Sequence, residues 1–189
     1  MHSVSPRAVL TVRFVFLEEV MITVRTEKTE DVSAVRRINE LAFGRADKAA
    51  LVDRLRRAAA PQISLVAVEN DQVVGHIFFS PVSVESAGSD FRAMGLAPMT
   101  VLPERQNQGI GSLLVREGLA ECRRLGCDAV VVLGHPEYYP RFGFVPAHQK
   151  GLRCEYPVPD EAFMAIELKP DVLSGRQGLV QYHSEFNEV

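Results

Sequence analysis

Several signals are missing from this chain. Its three cysteines, Cys122, Cys127 and Cys154, are odd in number and form no CxxC or other metal-ligand spacing, so neither a disulfide framework nor a cysteine-based metal site is indicated. A reducing, cytoplasmic setting without a metal is the expectation. Positive charge is not in excess either: the formal net charge is -3, which carries no electrostatic footprint for nucleic acid. The local basic groups Arg54, Arg56, Arg57 and Arg123, Arg124 read as solvated helix faces. No apolar run approaches the ~20 residues of a bilayer-spanning helix. The one near the start, AVLTVRFVFL, is interrupted by Arg13, followed by Glu18 and Glu19, and lacks a small-residue cleavage site. Neither a membrane nor a nucleic-acid partner is expected. Internal repeats, low-complexity tracts and long linkers are also missing. Since Met21 leads straight into the strand-like ITVR, residues 1–20 are expected to be an extension outside the fold and residues 21–189 a single domain.

What is present is an ordinary globular composition. With 189 residues, 47% of them hydrophobic and 24% charged, the chain can bury roughly 70% of its unfolded surface in one core. Ile22–Arg25 alternates as a strand. Thr29 can cap a helix bearing Val32, Val35, Ile38 and Ala42 on one face and ending at Gly44. A second helix is expected over Asp47–Ala60, with Leu51, Leu55 and Ala58 inward and Pro61 as its stop. Ile63–Val68 and Val73–Val84, joined at Asn70-Asp71, read as a hairpin with a break or bulge at Pro81, followed by a strand over Phe91–Leu102.

From there Leu114, Val115, Gly118, Leu119, Cys122 and Leu125 recur at three- and four-residue steps, which is an amphipathic helix closed by Gly126. DAVVVLG is apolar on both faces, as a central strand requires, and EYYPRFGF gives a short turn before another strand. EAFMAIEL and GLVQYHSEF supply two more strand candidates. The order predicts an α+β domain on a mixed, largely antiparallel central sheet flanked by helices.

Gly109 and Gly111 stand just ahead of the longest amphipathic helix. A helix start exposes unpaired N–H groups and partial positive charge, and glycines let backbone approach an anion, so the N–H groups from Gln108 to Leu113 could form an anion nest. A tight turn before an ordinary helix is the alternative. A dinucleotide fingerprint fails because Leu114 stands where its third glycine belongs, and a P-loop fails because Ser112 and Leu113, not a Lys with Ser or Thr, follow Gly111.

The spacing Gln106-x-x-Gly109-x-Gly111, after MTVLP and before the helix, resembles motif A of the GNAT superfamily of acetyl-CoA-dependent N-acetyltransferases. GLAPMTVLPERQNQGIGSLLV, AVVVLG and YYPRFGF also stand in that family's order, and the resemblance runs from Met21 to about Tyr182. It implies a GNAT-like fold with splayed central strands and acetyl-CoA as cosubstrate. The diphosphate cradle would fall on Gln106, Gln108, Gly109, Ile110, Gly111, Ser112 and Leu113, and the pantetheine arm along Thr100 and Val101. Pro98, which cannot donate to a ladder, suits a distorted strand at the split; a simple bulge is the other reading. The resemblance makes Tyr139, four residues before Gly143, the general acid. Many members also carry an Asn several residues before that tyrosine, where this chain has Val132 and Gly134.

Acetyl transfer needs a neutral amine, charge stabilisation on the carbonyl oxygen and a proton for the departing thiolate. A phenol of pKa about 10 giving its proton to a thiolate of about 8.5 is uphill by roughly 2 kcal/mol in water, so a hydrogen bond without full transfer can suffice. Backbone N–H groups near Val101 are candidates for polarising the carbonyl. His135, after the apolar strand, is the candidate base, with His76, Glu104 and Glu137 as alternatives. No cysteine falls in the strand–loop–tyrosine segment, which favours direct transfer in a ternary complex over a covalent enzyme intermediate. The expectation is therefore an acetyl-CoA-dependent N-acetyltransferase acting on a primary amine of unidentified acceptor, with a non-catalytic acyl-CoA-binding or sensing module as the alternative. A homodimer through the C-terminal strands is also expected.

Overall fold

The computed structural model describes residues 13–17, 20–44, 46–85 and 90–188. Strand β1 (Arg13–Leu17) runs antiparallel to β2 (Val20–Thr26), so part of the segment expected outside the fold joins the sheet at its edge; residues 1–12 and 18–19 lie outside the described residues. Helices α1 (Val32–Phe43) and α2 (Ala46–Ala58) follow, then the hairpin of β3 (Ile63–Glu69) and β4 (Gln72–Val84). Its turn residues Asn70 and Asp71 both take positive φ, 47° and 62°, the two-residue geometry that matches strand twist. After β5 (Ala93–Val101) come α3 (Ile110–Arg124), β6 (Ala129–Leu133), β7 (Val145–Pro146), β8 (Leu152–Cys154), β9 (Phe163–Glu167) and β10 (Gly178–Gln181).

The described strands form one sheet in the order β1-β2-β3-β4-β5-β6-β9-β7, with β10 paired to β4 and β8 off that path. Pairing is antiparallel except between β5 and β6 and between β8 and β10. Side-chain alternation in β4 sends Ile77 and Phe79 into one core under α3 and Phe78 into another under α1 and α2. A third apolar cluster joins β10, β8 and β9 through Val180, Leu152 and Phe163.

Local departures from expectation have physical reasons. Thr29 does not cap α1. Residues Thr29–Asp31 form a 3-10 turn, and Asp31 stands at the N-cap of α1 without a side-chain cap bond; its carboxylate instead accepts from the Lys28 N–H at 2.7 Å and pairs with Arg25 at 2.6 Å, which closes the turn. Just past α2 it is Ala59 that is buried, while Ala58 is exposed, because Ala59 continues the four-residue step of Leu51 and Leu55 into the same cluster and its N–H still donates to the Leu55 carbonyl at 2.8 Å. Leu125 is exposed at the end of α3, where the last turn leaves the sheet. Pro81 breaks nothing: β4 continues through it, between Phe79, the last residue paired with β3, and Ser83, the first paired with β10. Strand β8, with only three residues, was not expected. Strand β10 pairs with β4 on one side and with β8 on the other.

Two irregularities coincide at the middle of the sheet. The parallel pairing of β5 with β6 joins Ala93–Leu96 to Ala129–Val132 and goes no further along β5. On its other side, β4 advances two residues from Ile77 to Phe79 while β5 advances three from Met99 to Leu96, so β5 holds one extra residue at Ala97–Pro98. The distorted strand and the simple bulge are the same feature. Beyond it, Met99–Val101 has β4 on one side and no strand pairing with β6 on the other.

Candidate active site

The Leu102 N–H donates to the Val74 carbonyl at 2.9 Å. In an antiparallel strand successive N–H groups point to opposite edges, so those of Met99 and Val101 point away from β4, into the gap that β6 has left. The Val101 carbonyl, on that same edge, accepts from Gln106 Nε2 at 3.1 Å. Gln106 thus ties the loop after β5 back to the strand's end.

That loop turns sharply into α3. Asn107 and Gly109, on either side of Gln108, have φ of 61° and 84°. Gly109 is the N-cap of α3, and the left-handed conformation there is strained for any residue with a Cβ. The first bond of the helical ladder runs from the Leu113 N–H to the Gly109 carbonyl at 3.0 Å. The N–H groups of Ile110, Gly111 and Ser112 precede that ladder and carry the positive end of the helix dipole. The nest is shorter than the sequence predicts: the Leu113 N–H is spent on the helix, and the side chains of both Leu113 and Ile110 belong to the core under α3. Gln108 turns its amide outward onto the Glu104 carbonyl at 3.2 Å and does not line the cleft described next.

A cleft of about 690 Å³ runs from this helix start along Met99–Val101 to Tyr138 and Tyr139. The two tyrosines follow β6, where Tyr139–Phe142 forms a 3-10 turn. Any Cβ on Gly134 would overlap the Tyr139 ring, so this glycine is what lets the tyrosine lie across the exit of β6. Phe144 and Tyr138 pack edge-on against Tyr139 at centroid distances of 5.6 and 5.1 Å. Burial pushes the Tyr139 phenol well above its ordinary value, with neighbouring Tyr138 adding to the shift. Tyr138 reaches the other way: its hydroxyl lies 2.9 Å from where a Cβ on Gly111 would stand, over the first turn of α3, and Arg141 stacks on its ring at 4.7 Å.

A second cleft of about 370 Å³ opens on the other side of the gap, between Leu51 of α2, the Ala97–Pro98 bulge and the C-terminal segment. Met99, His135 and Tyr139 line both clefts, so the two meet where β5 and β6 part. His135 is therefore placed with Tyr139. Glu104 and Glu137 line neither cleft. His76 is fully buried beneath α1, 2.9 Å from Ser64 Oγ and 3.4 Å from Asn39 Nδ2, and burial, with Arg56 contributing, lowers its pKa to about 3. Thr100, paired with His76 across the strands, is also buried, and its Oγ1 has no partner among the described residues.

Among the residues lining the first cleft, sequence reasoning did not single out Met99, Arg105, Asn107, Tyr138 or Arg141. Arg141 lies within the YYPRFGF segment already singled out, and a cation two residues beyond the tyrosine was the available signal. Arg105 was masked by its partner, since it pairs with Glu69, a contact between elements far apart in sequence. Among the described residues no group of three or more His, Cys, Asp or Glu side chains could hold a metal ion.

Comparison with known proteins agrees with this geometry. Residues 23–147 match the family model described as an acetyltransferase (GNAT) domain. The chain is 38% identical over 165 residues to the uncharacterized N-acetyltransferase YhbS of Escherichia coli (strain K12), covering 87% of this chain and 98% of the relative. The solved structure of E. coli YhbS in complex with CoA superposes with a TM-score of 0.81 at 35% identity, covering 98% of this chain and 96% of that one. A GNAT family acetyltransferase from Brucella melitensis in complex with acetyl-CoA gives a TM-score of 0.72 at 38% identity, covering 87% of this chain and 97% of that one. With a helix-start nest, a bulged strand and a buried tyrosine in one cleft, and relatives matched over most of its length, the chain belongs to the GNAT family of N-acetyltransferases.

Proposed function

We propose that the protein transfers an acetyl group from acetyl-CoA to a primary amine by direct attack in a ternary complex, with Tyr139 as the general acid. The observation that carries this reading is the position of Tyr139 at the junction of the two clefts, so that a donor in one and an acceptor in the other would meet beside its hydroxyl. The donor cleft suits acetyl-CoA: the N–H groups of Ile110–Ser112 and the turn at Gly109 fit a diphosphate, and Arg105 and Arg141 line the same cleft and suit further phosphate charge. The open edge of Met99 and Val101 suits an amide-bearing arm, which can pair there as a strand would.

The chemistry asked of the chain is modest. Bond formation from the amine nitrogen to the acetyl carbon breaks the carbon–sulfur bond, the amine gives up a proton and the leaving sulfur gains one. The Val101 N–H faces the gap and is suited to polarise the carbonyl oxygen. The Tyr139 hydroxyl, kept protonated by its burial, is suited to donate toward the sulfur. His135, lining both clefts, is placed to pass the amine proton to solvent. Neither cysteine of the α3 region enters the reaction, since Cys122 and Cys127 are buried in the core.

Thiol release from acetyl-CoA against pooled primary amines tests this reading. We expect release with the native protein, a fall of about tenfold or more in Tyr139→Phe, and CoA affinity within about twofold of native. CoA binding without release on any amine would establish the binding-module alternative instead.

A further inference from the structure

Resting on this acetyl-transfer reading, we infer that the second cleft takes a small primary amine bearing an aromatic or branched aliphatic group and no second charge. Among the described residues, no Asp, Glu, Lys or Arg lines this cleft. Its walls are Leu51 and the Ala97–Pro98 bulge on one side and three aromatic rings, Tyr156, Tyr182 and Phe186, on the other. Tyr182 is the centre of the aromatic wall, with Tyr156 at 5.9 Å and Phe186 at 5.4 Å between ring centroids.

The wall is held in place from outside. Glu185, beside Phe186, pairs with Arg54 of α2 at 2.8 Å, the Tyr156 hydroxyl donates to Asn187 Oδ1 at 3.2 Å, and the Tyr182 N–H donates to Glu155 at 2.5 Å. The charged groups of this region are thus used to fasten the segment and stand outside the cleft lining. Tyr182 Oη is buried without a hydrogen-bond partner among the described residues.

Size and charge together select the acceptor. A volume of about 370 Å³ lies near the lower end for small-molecule sites, about 300–1,000 Å³. An ammonium entering a space where no carboxylate lines the wall among the described residues loses hydration without compensation, whereas the neutral amine loses far less. Desolvation therefore favours the nucleophilic form, which lowers the demand on a base. A second ammonium, as in a diamine or an aminoglycoside, suffers the same loss and recovers only the cation–π part of it from the rings, while an aryl or branched alkyl group gains contact with them at no such cost.

The test compares kcat/KM for 2-phenylethylamine and 3-methylbutylamine with that for 1,5-diaminopentane and an aminoglycoside, alongside calorimetric titration of the same amines into CoA-saturated protein. We expect the two monoamines to exceed the diamine by about tenfold or more. Phe186→Glu, with CoA affinity unchanged, should narrow or reverse that ratio by giving an ammonium a partner. Equal or better use of the diamine or the aminoglycoside by the native protein would overturn the assignment while leaving acetyl transfer standing. Monoamine binding with no thiol release would support the assignment and remove the transfer reaction. Absence of monoamine binding would overturn the assignment directly.

Discussion

His76 lies in a polar row that starts at Arg56, passes through Glu27 and Ser64, and ends at Asn39 under α1. As a residue type it could serve as a base; its surroundings decide otherwise. Without solvent its imidazole stays neutral, with a pKa near 3 against 6.5 for a free side chain, while the unfolded chain takes up a proton across that window. Since the unfolded state then binds more protons, stability falls as pH drops from about 6.5 toward 3, by about 1.4 kcal/mol per pH unit for this one group. The Asp31 carboxylate, lowered chiefly by its hydrogen bonds from Arg25, acts with the same sign but only as pH falls below its free value of 3.8. Urea denaturation at pH 6 and pH 4.5 separates the two. We expect His76→Gln to lose most of the native protein's slope over that range; an unchanged slope would mean that the folded imidazole accepts a proton. That Tyr139 and His135 line the clefts was legible from YYPRFGF and from the position after the β6 strand. What could not be read was that His76 is sealed away, because a central strand and a cleft-lining strand share the same alternating pattern.

At the scale of elements, the start of α3 was readable because glycine pairs ahead of an amphipathic run have few structural uses. The exact nest was not, since the fate of each N–H depends on where the helical ladder begins. That boundary also yields a prediction. Gly109→Ala places a Cβ on a backbone with φ of 84°, so the turn must shift or strain by an amount on the order of 1–2 kcal/mol. CoA affinity measured by calorimetry should weaken by about tenfold or more, with the circular dichroism spectrum retained; unaltered affinity would move the diphosphate away from α3. The bulge in β5 was half legible. Pro98 announces a missing donor, but only the pairing of both neighbours shows that the extra residue and the departure of β6 fall at the same place. The three-residue β8 gives no periodic signal of its own and exists because β10 offers it a ladder.

At the scale of the whole molecule, the clefts proposed for donor and acceptor are two sides of one gap in the sheet, and they use residues from α2, β5, the loops after β5 and β6, and the C-terminal segment. A ligand that bridges these parts should stabilise them together. Acetyl-CoA at a hundred times its Kd is expected to add about 2.7 kcal/mol, which for a chain of this size raises Tm by roughly 5–10 °C. Differential scanning fluorimetry reads that shift, and its absence at saturating acetyl-CoA would contradict the proposed donor site.

The order of the helices and of most strands, the family and its cosubstrate follow from the chain alone, because periodicity, glycine placement and a short ordered set of motifs are local properties of sequence. The second cleft, proposed for the acceptor, was decided only in three dimensions. Leu51, Pro98, Tyr156, Tyr182 and Phe186 come from segments with no shared pattern, and only the folded chain brings them to one cavity.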